Sequence, residues 1–263
     1  MVSSGNCALL GALLVLGACN RTDVQDLSTD LEQARMMDAI EDLIALGDLA
    51  DARQALLEAL DRGLENPRAE HLAGRLAEAA GDHRAATERY ARAVATSPGW
   101  LEPRVALADA YRRSGRPESA DSVFAEIDRL HPEHPVGPYG RGVIARQRER
   151  FNEADAFLDE ALSRDPSFAP ALRLRAYSAE QAGDLERQRA LLLRYIQVHP
   201  DDPRAHFDLG ANCEAKGQLE DAKHAFTRSW RLRPSRDTAL RLAELASRQG
   251  QTQTAQEWRQ RAE

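Results

Sequence analysis

Cysteine is scarce in this chain, which has only Cys7, Cys19 and Cys213 among its 263 residues. A framework of disulfides, such as stabilises many small secreted domains, is therefore excluded. Aromatic residues are also few, at 5%, and no run of alternating or β-branched residues predicts a strand. Alanine, leucine, arginine and glutamate dominate instead, and these residues favour helix. The composition predicts an all-α protein.

A period of 34 residues runs through most of the chain. Five prolines keep this spacing without a slip: Pro98, Pro132, Pro166, Pro200 and Pro234. Seventeen residues before them stand Gly81, Gly115, Glu149, Gly183 and Gly217, so that only Glu149 departs from glycine. A 34-residue period predicts a stack of helix-turn-helix units. The glycines are then placed to end the first helix of each unit, and the prolines to end the second.

Small and large apolar residues follow the same period. Twelve residues before the prolines, and once one period earlier, stand Ala52, Ala86, Ala120, Ala154, Gln188 and Ala222. Four residues after each of these comes a large apolar residue: Leu56, Tyr90, Phe124, Leu158, Leu192 and Phe226. A small residue lets two helices approach, and the large side chain fills the space opposite. Gln188 breaks the pattern, which predicts looser packing and an opening for a partner at that repeat.

These positions resemble the tetratricopeptide repeat family, which has small residues at its eighth and twentieth positions, a large apolar residue at the twenty-fourth and proline at the thirty-second. The resemblance covers about residues 33 to 263 and implies a solenoid of antiparallel helix pairs forming a right-handed superhelix. We predict about seven repeats within 30–263, the last ending in a polar cap. Their predicted bounds are 30–66, 67–100, 101–134, 135–168, 169–202, 203–235 and 236–263.

The N-terminus predicts export. Residues 1 to 19 carry no charged side chain, and the apolar run from Cys7 to Gly17 is shorter than the roughly 20 residues that span a bilayer. This pattern predicts a signal peptide over 1–18. The segment Leu16-Gly17-Ala18-Cys19 resembles the bacterial lipobox, which implies cleavage before Cys19 and attachment of diacylglycerol and an N-acyl chain such as palmitate. The alternative is an ordinary secretory signal that leaves Cys19 as a thiol.

Residues 19–29 are then a short tether between the lipid and the repeats. Thr29 and Glu32 have the spacing of a capping box and predict the start of the first helix. Asn20 follows Cys19, where lipoproteins retained at the inner membrane have aspartate, and this resemblance implies the periplasmic face of the outer membrane. Cys213 remains as the one free thiol. We expect a small buried side chain there, the alternative being a redox or nucleophilic role.

In the tetratricopeptide repeat family, the first helices of the repeats line a concave groove. The positions that do so imply a candidate peptide groove here of Arg75, Arg112, Tyr139, Val143, Arg146, Arg173, Tyr177 and Phe207. Such an arginine-rich and aromatic strip suits a segment with apolar anchors and acidic neighbours. The alternative is that the aromatic residues only pack between adjacent helices.

Signs of catalysis or of nucleic-acid binding are missing from the sequence. The 35 basic residues are outnumbered by 42 acidic ones, which leaves no basic footprint for nucleic acid. His131 and His134 lie in a loop between repeats, and none of the seven histidines has a metal-binding spacing. Gly137, Gly140 and Gly142 fall inside a helix, where a phosphate loop has no structural context. We therefore predict no enzyme activity, metal, cofactor or small-molecule substrate.

A signal-bearing lipoprotein made almost wholly of such repeats resembles, in layout, the pilotins that help the type IV pilus secretin to assemble in the outer membrane. The resemblance implies a non-enzymatic scaffold with a protein partner, an outer-membrane secretin being the best candidate. The alternative is an envelope adaptor that docks peptidoglycan hydrolases or machinery for polysaccharide export or secretion.

Overall fold

Every regular element is an α-helix in the residues that the computed structural model describes, 21–61 and 66–263. These residues form fourteen helices. In chain order they are α1 Arg21–Leu46, α2 Leu49–Asp61, α3 Pro67–Ala79, α4 His83–Thr96, α5 Leu101–Arg113, α6 Pro117–Leu130, α7 Val136–Gln147, α8 Phe151–Arg164, α9 Ala169–Gln181, α10 Leu185–Val198, α11 Pro203–Ala215, α12 Leu219–Leu232, α13 Arg236–Arg248 and α14 Thr252–Arg261. The helices follow one another as seven consecutive pairs, which confirms the predicted all-α class.

The first helix of every pair ends in the same way. At the end of α3, for example, the Gly81 N–H donates to the Glu78 carbonyl at 2.9 Å and the Asp82 N–H donates to the Ala77 carbonyl at 2.9 Å. These two bonds form the Schellman motif, which requires a left-handed residue just after the helix. Six of the seven such residues are glycines with φ between 73° and 85°: Gly47, Gly81, Gly115, Gly183, Gly217 and Gly250.

Glu149 occupies the seventh of these positions, after α7. Its φ is 60°, and no other non-glycine residue in the described ranges has a positive φ. It makes the same two bonds as its counterparts, because the Glu149 N–H donates to Arg146 and the Arg150 N–H donates to Ala145, both at 2.9 Å. The break in the glycine pattern therefore leaves the turn intact and places a side chain where the backbone favours glycine.

Small residues in the first helices allow the close packing that the repeat pattern predicts. A Cβ added to Gly74 would lie 2.5 Å from the Tyr90 ring, and one added to Gly210 would lie 2.7 Å from Phe226. Helix α7 contains three glycines. A Cβ added to one of them, Gly140, would lie only 2.3 Å from the Phe124 ring. Glycine destabilises a helix interior by about 0.5–1 kcal/mol. Here it permits a contact that no larger residue could make.

The described residues divide into two compact units, one extending to Ala120 and the other comprising Asp121–Glu263. In the first unit, Met37, Ile40 and Leu72 are at most 1% exposed and pack in one cluster. In the second unit, one cluster includes Leu158 and Leu172 and another is built on Phe226 and Leu245, with Trp230 and Trp258 at its edge. Burial of each large side chain stabilises its unit by roughly 1.5–3 kcal/mol.

Among the N-terminal predictions, only those for the tether and for Thr29 concern residues that the structure describes. Helix α1 begins at Arg21, so residues 21–29 are helical where a tether is predicted, and Thr29 lies within the helix rather than at its start. The predicted signal peptide 1–18 and Cys19 lie outside the described residues. Within those residues, no helix is long and apolar enough to cross a membrane.

Candidate functional site

A cavity of about 610 Å³ opens in the second unit, on the face of the first helices of the repeats. Helix α7 contributes Tyr139, Val143 and Arg146, which are spaced i, i+4 and i+7 and therefore share one face. Helix α9 contributes Arg173, Tyr177 and Glu180 at the same spacing, α10 contributes Gln188 and Leu192, and α11 contributes Arg204 and Asp208. The helical period thus brings side chains from four helices round one space.

Five of the eight predicted groove residues line this cavity: Tyr139, Val143, Arg146, Arg173 and Tyr177. Arg75 and Arg112 lie in the first unit, where they donate to Glu41 and Asp109 at 3.3 and 3.2 Å. Phe207 does not line this cavity. Its ring packs edge to face on Phe226, with centroids 5.2 Å apart, and it borders a smaller cavity of about 130 Å³ beside Arg204.

Two tyrosines form an aromatic wall. Tyr139 packs edge to face on Phe168, with centroids 5.4 Å apart. Tyr177 is 45% exposed, which is high for a large side chain, and the Arg146 guanidinium lies 4.4 Å from its ring centroid. Arg146 also donates to Ser178 Oγ at 3.3 Å. This stack holds the Tyr177 ring in place and leaves it open to a ligand.

Positive and negative groups both line the cavity. Arg204 contacts Asp208, with Nε and Oδ1 2.9 Å apart. Burial raises the pKa of the Asp208 carboxyl to about 6, the Arg204 charge opposes the rise, and the nearby Glu180 carboxylate adds to it. Desolvation therefore has a larger effect on the pKa of Asp208 than its cationic neighbour has. The charge around the cavity is mixed, which corrects the expectation of a simple arginine-rich strip.

Gln188 lies in the floor of the cavity and is only 3% exposed. Its Oε1 accepts a hydrogen bond from Asn212 Nδ2 at 2.7 Å, and the same Asn212 amide donates to the Leu185 carbonyl at 2.8 Å. The sequence predicts looser packing at Gln188. In the structure the side chain is buried and bonded to the next repeat, and the open space lies beside it.

The sequence reasoning missed Glu180, Asp208 and the Gln188–Asn212 pair. Glu180 stands at the same position of its repeat as Arg146, so the spacing that selects Arg146 selects Glu180 as well. Asp208 carries no comparable signal, because its place at the cavity depends on how two successive repeats pack.

The remaining site predictions concern Cys19, which is outside the described residues, and Cys213, which is 2% exposed. Burial raises the pKa of the Cys213 thiol, and its side chain packs in the cluster of Phe226 and Leu245. In the described ranges, no three His, Cys, Asp or Glu side chains come together as a metal site would require.

Comparison with known proteins agrees with the repeat period. Two profiles described as tetratricopeptide repeat match the chain, one over residues 77–136 and the other over 37–100 and 139–203. The chain belongs to the tetratricopeptide repeat family. Members of this family are scaffolds that bind other proteins on extended surfaces, and neither match indicates a catalytic family.

Among curated relatives, the chain is similar to cellulose synthase operon protein C from Xanthomonas axonopodis pv. citri, with 30% identity over 179 residues. That match covers 64% of this chain and only 12% of the relative. Among solved structures, PilF of Pseudomonas aeruginosa has a TM-score of 0.62 at 14% identity, covering 73% of this chain and 88% of that one. PilW, a widely conserved type IV pilus biogenesis factor, has a TM-score of 0.57 at 21% identity, covering 73% and 90%. At these identities, the structural similarity describes the fold.

Proposed function

We propose that this tetratricopeptide repeat protein is a non-enzymatic, lipid-anchored scaffold on the periplasmic face of the bacterial outer membrane. It binds a segment of a protein partner in the cavity of α7, α9, α10 and α11 and assists assembly of an outer-membrane complex. The best candidate for that complex is the type IV pilus secretin, which would make the protein a pilotin. Cys19, with its diacylglycerol and N-acyl chains, is the proposed anchor.

The observation that carries the binding proposal is the exposed Tyr177 ring above a cavity of about 610 Å³. Exposed aromatic side chains beside a recess that also holds a few polar groups are typical of sites where a few residues dominate binding. The similarity in fold to PilF and PilW supports the pilus assignment, since both align over most of their length.

A second candidate is an envelope adaptor for polysaccharide export or peptidoglycan hydrolases. The sequence similarity to cellulose synthase operon protein C favours this candidate. In that case, the same cavity would bind a segment of a different partner.

Crosslinking in cells separates these candidates. A photo-crosslinking phenylalanine analogue at Tyr177 should capture the partner, and mass spectrometry would identify it as a secretin, a hydrolase or an export component. The matched control carries the analogue at Leu240, which is 44% exposed on α13 and lies outside the cavity. A deletion strain with normal secretin multimers and normal pili would exclude the pilotin function.

Two variants test the anchor and the cavity separately. Cys19→Ser should move the protein from the membrane to the soluble fraction, and continued membrane retention would contradict the lipid anchor. The Arg173→Glu, Tyr177→Ala double variant should lose the partner while keeping its helical circular dichroism. Unchanged partner capture by that variant would show that the partner binds elsewhere.

A further inference from the structure

The side chain of Gln188 has an unmet hydrogen-bonding capacity. The other second helices with a residue in this register have alanine: Ala52, Ala86, Ala120, Ala154 and Ala222. The amide of Gln188 has one acceptor oxygen and two N–H donors. The oxygen is used by Asn212, but Nε2 donates to none of the residues that the structure describes. Nε2 is not fully buried, so water in the cavity that Gln188 lines reaches it. A ligand group that covered Nε2 without accepting its hydrogen bond would cost about 1–3 kcal/mol.

Asp208 supplies the complementary group. It precedes Asn212 by one turn of α11, so the two side chains share a face, with Cβ atoms about 5–6 Å apart. Gln188 Oε1 accepts from Asn212 Nδ2 at 2.7 Å, so the Gln188 side chain meets α11 one turn after Asp208. Both residues line the same cavity. A group that enters the cavity therefore meets a hydrogen-bond donor at Gln188 and an acceptor at Asp208, whose Oδ1 also lies 2.9 Å from Arg204 Nε.

A primary carboxamide satisfies both groups at once. Its oxygen can accept from Gln188 Nε2 while its NH₂ donates to Asp208. A lysine ammonium would bond to Asp208 and leave Gln188 without an acceptor, and a carboxylate would accept from Gln188 but face the Asp208 charge. An aliphatic side chain would satisfy neither, and buried polar groups left unpaired in this way discriminate strongly between ligands.

The depth of the site favours a side chain over a stretch of main chain. Gln188 and Leu192 are 3% and 4% exposed, whereas Tyr177 at the mouth is 45% exposed. A single Asn or Gln side chain is narrower than a main chain with its side chains and suits such a recess better. Val143, Leu174 and Tyr177 line the same cavity and offer apolar contacts to the methylene groups of that side chain.

We propose that Gln188 and Asp208 form a carboxamide-reading subsite, which takes an Asn or Gln side chain from the bound segment of the partner. This inference rests on the proposed function, because it assumes that the cavity binds a protein segment. It names the feature by which that segment is selected.

An array of acetylated, amidated heptapeptides tests the subsite. The central residue is Gln, Asn, Glu, Lys or Leu, and the flanking positions carry the same equimolar mixture of residues throughout. The purified chain with Cys19→Ser should bind the Gln or Asn peptides at least about fivefold better than the other three. In Gln188→Met, which keeps the shape and loses the donor, this preference should fall below about twofold.

Three further variants keep the test decisive. Gln188→Glu retains the acceptor for Asn212 and removes the donor, so the preference should be lost even if Gln188→Met folds poorly. Asp208→Leu should likewise lose it. Gln253→Met changes an exposed glutamine on α14, outside the cavity, and should keep it.

The two proposals fail separately. Equal array binding of Gln and Leu peptides by the parent chain, or a preference that persists in Gln188→Met and Gln188→Glu, overturns the subsite whatever is captured in cells. Failure of the Tyr177 crosslinker to capture any envelope protein overturns the proposed function, even if the array shows the carboxamide preference.

Discussion

Replacing Glu149 by glycine should stabilise the protein, although it removes a side chain. The Glu149 side chain is exposed and makes no hydrogen bond or ion pair with the residues that the structure describes, so its loss sacrifices no contact there. Its backbone, at φ 60°, is in the left-handed region, where a non-glycine residue costs roughly 1–2 kcal/mol. Glycine has more freedom in the unfolded chain, which offsets about 0.4–1 kcal/mol of this gain. We expect a net stabilisation of about 1 kcal/mol.

Equilibrium urea unfolding followed by circular dichroism at 222 nm measures this effect. Repeat arrays can unfold in more than one step, so hydrogen exchange of α7 and α8 provides a local measurement of the same change. The matched control is the reverse substitution in the following repeat, Gly183→Glu, where φ is 73°. By the same balance of backbone strain and unfolded-state freedom, that variant should lose about 1 kcal/mol.

The reasoning is refuted if Glu149→Gly is neutral or destabilising while Gly183→Glu destabilises as expected. Glu149 would then contribute something through its side chain that offsets the backbone strain. A result in which neither variant changes stability would show that the turn does not limit the stability of these repeats.

Three other predictions follow from the packing and the charges. Gly140→Ala should destabilise the second unit by about 1–3 kcal/mol in urea unfolding, because its Cβ would lie 2.3 Å from the Phe124 ring; Phe124→Ala in the same chain should reduce that loss. Asp208→Asn should stabilise by about 1 kcal/mol at pH 7.5 and by less at pH 4.5. The native pKa of about 6 exceeds the unfolded value, so ionisation of Asp208 reduces stability as the pH rises from about 4 to 6. The expected gain is discounted because the side chain is partly exposed. A larger gain at pH 4.5 than at pH 7.5 would contradict this sign. Cys213, being 2% exposed, should react with Ellman's reagent at least about 100-fold more slowly in the native protein than in urea, and fast native labelling would contradict its burial.

The sequence predicted the helices because the features that end them are local. A glycine such as Gly81 fixes the end of a helix through two bonds to the preceding turn, so a period of glycines and prolines can be read without knowing any tertiary contact. The beginning of α1 was harder to place. Thr29 and Glu32 have the spacing of a capping box, but the helix continues through them to Arg21, since that spacing is also compatible with a helix interior.

The cavity was only partly predictable. Tyr139, Arg146 and Tyr177 follow from positions that the family uses for its groove, since these depend on the period alone. The Gln188–Asn212 bond joins residues 24 apart and depends on the distance between two repeats, which no local pattern encodes. For Phe207, the repeat position predicts a groove residue. Tertiary packing decides whether its ring faces solvent or the Phe226 ring.

The bond between Gln188 and Asn212 also has a consequence for the order of the modules. Repeats that meet through alanine and leucine alone could be exchanged or duplicated with little penalty. Moving the fifth repeat away from the sixth would leave one buried amide without its partner on each side of the break, at about 1–3 kcal/mol for each group. This pair therefore fixes which two repeats are neighbours. Recombination between repeats should be tolerated less at this junction than at junctions lined by alanine.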